Sequence, residues 1–234
     1  MLRKLDHRNM GKSDLGWLRS IFHFSFADYF NIDNMNFGVL RVINDDLIAA
    51  GTGFDLHPHR DMEIVSYVVN GGLTHGDSMG NKNTVYRGEV QYMSAGTGVY
   101  HSEENFGDET TRILQIWVVP DKKGYSPAYG DYRFEESERK NKWLNIVSSK
   151  ERNAPIKINQ DANFYVVELD EGKEIEFPVG KGRQGYLVQI EGDSTINSVD
   201  ITERDGLEIV EENIKIKAKK KSHILVIEMK KYLN

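Results

Sequence analysis

The apolar positions of this chain fall in short bursts punctuated by glycine, asparagine and aspartate. Residues 17–26 mix Trp, Phe, Leu and Ile with small polar residues and predict a strand. Residues 37–43 predict another, closed by Asn44-Asp45-Asp46 as a turn signal, with a further strand at 47–50. The run at 62–69 stops at Asn70-Gly71-Gly72. Gly76, Gly80-Asn81 and Arg87-Gly88 mark later turns, and 113–119 forms a strand ending at Pro120. Short strands at regular spacing predict a sandwich or closed barrel rather than an α/β sheet. Residues 134–143 are densely charged and predict a short connecting helix. Strands resume at 164–169, 185–190, 214–218 and 224–229, and the alternation of Ile214-Lys215-Ile216-Lys217-Ala218 predicts one wet face. The expectation is a mainly β protein of two antiparallel β-barrel domains, residues 1–133 and 134–234.

Composition narrows the function. Of 234 residues, 39% are hydrophobic and 10% aromatic, enough for packed cores. Thirty basic against 36 acidic residues leave a formal charge of −6, which argues against a nucleic-acid partner. Cysteine is absent, so disulfides, thiolate zinc sites and cysteine nucleophiles are excluded. A charged start and no long apolar run predict neither signal peptide nor membrane span, hence a cytoplasmic protein.

Histidine placement supplies the chemistry. Residues two apart on a strand share a face, so His57 and His59 project to one side, as do His101 and Glu103. Two facing strands would converge these four on one divalent transition ion at about 2.0–2.2 Å per bond, with a position left open for a guest. Pro58 cannot donate to a ladder and predicts a sheet edge for the first pair. Because histidine must be neutral to ligate, metal affinity is expected to fall below about pH 6.5.

These residues carry a resemblance. Gly51, His57-Pro58-His59 and Glu63, then Gly88, Ser94-Ala95-Gly96, His101 and Asn105, resemble the two cupin motifs, with Ser94 where proline is usual. Leu40-Arg41-Val42-Ile43-Asn44-Asp45-Asp46, Asp77-Ser78-Met79-Gly80-Asn81 and Met93-Ser94-Ala95-Gly96-Thr97-Gly98 are similar to the pirin family, in its short bacterial quercetinase-like branch. The resemblance implies a bicupin fold with one metal, iron foremost but nickel, copper, cobalt, manganese and zinc also accepted, held in the N-terminal barrel by His57, His59, His101 and Glu103. It further implies a dioxygenase that opens the ring of a small aromatic substrate such as quercetin with O2 and releases carbon monoxide, with Glu103 as the catalytic base. The alternatives are a metal-containing regulatory module acting on a protein partner, and a cupin isomerase of sugars or keto acids, which would need Arg41, Arg60 or Arg112 in the pocket.

Other candidates rank lower. Glu63 shares a face with His59 but is expected to be a supporting or core polar residue. His75 and Asp77 read as a hydrogen-bonded turn, His23 as a packing histidine, and His7 and His223 as ordinary. The lysines at 215, 217 and 219–221 read as a solvated edge.

Overall fold

The computed structural model describes residues 1–232. Strands make up most of it, and they cluster into two compact units, one of Gly11–Phe134 with Ile158–Gln160, the other of Met1–Met10, Glu135–Lys157 and Asp161 onward. The first ten residues group with the C-terminal half because Leu2–Leu5 pairs antiparallel with Gly206–Val210.

In the N-terminal unit a seven-stranded sheet runs in the order Ala128–Tyr132, Val90–Ser94, Glu63–Asn70, Thr111–Val118, Leu40–Ile48, Leu18–Phe22, Gly11–Asp14. A four-stranded sheet has the order Thr52–His59, Val99–Asn105, Gly72–Asp77, Lys82–Tyr86. Leu18, Ile48, Val68 and Ile113 of the large sheet bury against Leu73 and Val85 of the small one. Ile64 and Met93 do the same against Val99. Alternation explains this, since each strand turns its apolar face to the facing sheet. The C-terminal unit repeats the pattern with seven and four strands, packing Leu187, Leu207 and Val226 on Ile196, Ile214 and Ile216. Each unit is thus a jelly roll of two open sheets rather than a closed barrel, and the pair gives the bicupin architecture that the resemblance implies.

Three expectations change. Asn44-Asp45-Asp46 is not a turn, because one strand, Leu40–Ile48, runs through it. Asp45 pairs with Arg112 Nε at 2.8 Å and Nη2 at 2.7 Å across the ladder to Thr111–Val118, so a charged residue sits mid-sheet with its partner. The connecting helix shrinks to the single turn Glu136–Arg139, whose capping box joins Glu135 and Glu138. Ile214–Ala218 is an inner strand of its sheet, not an edge, and Lys215 and Lys217 pair with Glu174 on its wet face.

Candidate metal centre

The edge strand Thr52–His59 and its neighbour Val99–Asn105 build the site. Register places His101 opposite His57 and Val99 opposite His59. The ladder then slips, so that Glu103 faces Phe54. Without that bulge, parity would turn Phe54 away from the histidine face; with it, Phe54 joins them. Pro58 lies on this edge strand, where its missing N–H leaves no gap in a central ladder. The ring centroids of His57, His59 and His101 lie 4.4–4.9 Å apart, and one ligand atom from each falls within 4.8 Å of the others.

Their protonation suits ligation. Burial, with the neighbouring imidazoles His101 and His57, depresses His59 to about 4. Burial, with His57 and His75, takes His101 to about 3. Both are neutral in neutral solution and stay so in acid that would protonate an exposed imidazole, so proton competition for these two begins below the pH expected from an unperturbed histidine. The Nδ1 of His57 lies 2.7 Å from the Asp55 carbonyl oxygen. That nitrogen therefore carries the hydrogen, leaving Nε2 as the lone pair.

His101 is oriented from the other side. On Gly72–Asp77, Asp77 lies opposite His101 and His75 opposite Glu103. His75 is fully buried, with Nε2 3.0 Å from Asp77 Oδ2 and its ring stacked on Tyr129 at 4.6 Å. A carboxylate only accepts, so His75 Nε2 holds the hydrogen and Nδ1 is a lone pair. Gln91 Nε2 donates to that lone pair at 3.1 Å. His101 Nδ1 lies 3.5 Å from the same atom. Two facing lone pairs would repel, so His101 carries its hydrogen on Nδ1. Its Nε2 is then an unprotonated nitrogen, and it is buried with no hydrogen-bond partner. An orphaned buried lone pair costs about 1–3 kcal/mol, and a cation is the group that would satisfy it here. The donor set therefore fits a borderline divalent ion. Burial acts to raise the Asp77 carboxyl, but hydrogen bonds from His75, Asn81 and the Met79 backbone outweigh it and lower its pKa.

Glu103 is buried beside this cluster and groups with His101 and His75 rather than with the full trio of His57, His59 and His101. Its Oε1 accepts from Ser66 Oγ at 2.8 Å and Gln91 Nε2 at 3.0 Å, and its Oε2 accepts from Gln115 Nε2. Glu63 lies elsewhere. Tyr92 and Ser94 donate to it at 2.6 and 2.7 Å, and Asn159 N at 2.9 Å. The serine that departs from the cupin motif thus serves Glu63.

A cavity of about 370 Å³ opens on His57, His59 and Glu103. Its walls are aromatic: Trp17 meets Phe54 edge-on at 5.3 Å, Phe22 and Phe26 lie 5.4 Å apart, and Trp117 contacts both Phe26 at 5.6 Å and His59 at 4.9 Å. Ser20, Asn44, Asp46 and Gln115 add a polar surface. Sequence reasoning missed Gln91, Gln115 and the Asn44–Asp46 stretch. It also took His75 and Asp77 for a turn, although their i, i+2 spacing, the same signal as in the ligand pairs, was visible.

The remaining histidines are held in structural contacts. His23 is buried away from the cavity lining. His7 Nδ1 meets Asp205 at 2.8 Å and His223 meets Glu191 at 3.3 Å. The trio Asp6, His7 and Asp205 is compact enough for an ion, but Lys4, Thr202 and Arg8 already occupy its carboxylates. Arg41 binds backbone carbonyls of Ser25 and Met35, Arg60 that of Thr97, and Arg112 pairs with Asp45. None of the three lines the cavity. Among the described residues, no helix is long and apolar enough to cross a membrane.

Comparison with known proteins identifies the family. The Pirin family model matches residues 4–118, and a quercetinase C-terminal cupin domain matches 145–229. A Pseudomonas aeruginosa protein named provisionally as a quercetin 2,3-dioxygenase is 43% identical over 231 residues, covering 98% of this chain and 100% of the relative. The quercetin 2,3-dioxygenase of Escherichia coli K12 is 40% identical over 230 residues, 97% of each chain. The crystal structure of the bacterial pirin YhhW from Escherichia coli in complex with nickel(II) superposes with a TM-score of 0.93 at 38% identity, covering 99% of this chain and 100% of that one. This chain belongs to the pirin family of the cupin superfamily, in its short, quercetinase-like bacterial branch.

Proposed function

We propose that this protein is a metal-dependent dioxygenase that opens a flavonol-like ring with O2, with the ion held in the N-terminal unit by His57, His59, His101 and Glu103. The observation that carries this reading is the convergence of three imidazoles, two of which, His57 and His59, line an aromatic-walled cavity. A divalent transition ion bound there would supply Lewis acidity toward a substrate hydroxyl and electron exchange with dioxygen.

The side chains do the rest. Trp17, Phe54 and Trp117 present ring faces and edges that bind a flat substrate. Glu103 takes the hydroxyl proton at Oε2, which has one donor on it, whereas Oε1 already has two. Ser66, Gln91 and Gln115 hold that carboxylate in place, and the Asp77–His75 pair keeps His101 in its ligating tautomer. A sugar or keto-acid isomerase is disfavoured, since no lysine or arginine lines the cavity among the described residues.

The test is direct. Protein purified without chelators, its metal identified by elemental analysis, is expected to bleach quercetin in air, consume oxygen and release carbon monoxide. Metal-replete protein that leaves the absorbance unchanged would overturn the flavonol assignment.

A further inference from the structure

Asn44 and Asp46 are two apart on the Leu40–Ile48 strand, share a face and line the cavity beside the imidazoles. Asp45, between them, points the other way into its ion pair with Arg112. Both cavity residues are almost completely buried, at 4% and 2% exposure. Asn44 Oδ1 and Asp46 Oδ1 have no hydrogen-bond partner. Native interiors rarely leave such acceptors unmet, and two side by side on one cavity surface call for donors from a guest. The terminal torsions of Asn and Asp are soft, so each oxygen can turn to meet one.

The guest is not a second cation. Asp46 belongs to none of the compact His/Asp/Glu groups among the described residues. Ser20 donates to the Asp46 carboxylate, which leaves Oδ1 as the oxygen still to be met. Trp117 Nε1, a buried donor without a partner, sits on the same cavity. Two acceptors and one donor set among aromatic rings match an aromatic molecule that carries hydroxyl groups and a carbonyl.

We propose that Asn44 and Asp46 read phenolic hydroxyl groups of the ligand, so that the cavity selects polyhydroxylated aromatic rings over unsubstituted ones. This rests on the cavity being the substrate site, and it assigns specificity to residues outside the ligand set.

The experiment measures binding, not turnover. Trp17 and Trp117 line the cavity, so ligand entry quenches tryptophan fluorescence. The purified protein is titrated without oxygen with quercetin, with 3-hydroxyflavone, which keeps the 3-hydroxyl but lacks the hydroxyls of the fused benzo ring and the phenyl ring, and with catechol. Wild type is expected to prefer quercetin over 3-hydroxyflavone by about tenfold or more, as one or two net hydrogen bonds allow. Asp46→Ala and Asn44→Ala should bring that ratio towards one while 3-hydroxyflavone affinity changes little. Asn44→Ser and Asp46→Ser, smaller perturbations of a buried strand, repeat the test if the alanine variants lose their circular-dichroism signal. A wild-type ratio near one, or a ratio that the variants leave unchanged, overturns the inference while leaving the flavonol reading intact. Catechol binding that depends on Asn44 and Asp46, with neither flavonol bound, supports the inference and removes the flavonol reading. No binding of any phenol overturns it.

Discussion

Asp77 supplies none of the three clustered imidazoles, yet it decides which nitrogen of His101 is bare. Its carboxylate fixes the hydrogen of His75 on Nε2, and the lone pair this leaves on Nδ1 faces His101 Nδ1. Replacing Asp77 with Asn lets the amide donate to His75 and invert that order. The expected result is a loss of metal affinity of about 10–100-fold, the usual cost of losing a partner that orients a ligand, with the strand signal in circular dichroism retained. Competition against a chromophoric chelator measures it, and an affinity equal to wild type would refute the tautomer argument. His101→Ala should go further and strip the ion. At this scale period-two parity was enough to put His57 with His59, and His101 with Glu103, on shared strand faces. The sequence was not readable where cross-strand register decides, as for His75 opposite Glu103 and for Glu103 itself, whose oxygens are met by Ser66, Gln91 and Gln115 from other strands.

The Leu40–Ile48 strand shows why local rules failed at the element scale. Asn44-Asp45-Asp46 has turn chemistry in isolation, and nothing within several residues contradicts it. The partner that makes a strand of it is Arg112, 67 positions away, and the surface that accepts Asn44 and Asp46 is a cavity that exists only after two sheets meet. Conflict between local preference and global fold tends to mark functional surfaces, and here it falls on the proposed ligand wall. The same pairing yields a stability prediction. Asp45→Ala leaves a buried guanidinium beside a lost carboxylate and should cost about 3–5 kcal/mol, read as a fall in the urea midpoint. The double variant Asp45→Ala with Arg112→Leu should recover much of that loss. A single variant as stable as wild type would show that the pair is dispensable and that the strand holds by its apolar neighbours alone.

For the molecule as a whole, the two β-rich halves were visible in strand punctuation, whereas the membership of the first ten residues was not, because Leu2-Arg3-Lys4-Leu5 carries no hint of its partner Gly206–Val210. One buried carboxylate secures that attachment. Burial alone would raise the pKa of Asp205, but Lys4, the backbone amides of His7 and Thr202, and the His7 ring more than offset it and hold it at about 2. An unfolded aspartate titrates near 3.9. The folded state therefore binds this proton less readily than the unfolded one, and the resulting stabilisation is full above about pH 4 and disappears as pH falls through about 2. Linkage puts it at about 2 kcal/mol. Asp205→Asn should accordingly be less stable than wild type at pH 7, and the gap between the two urea midpoints should close on acidification between pH 4 and pH 2. A gap that stays constant across that range would mean that the Asp205 charge contributes nothing and that only its hydrogen-bond geometry matters.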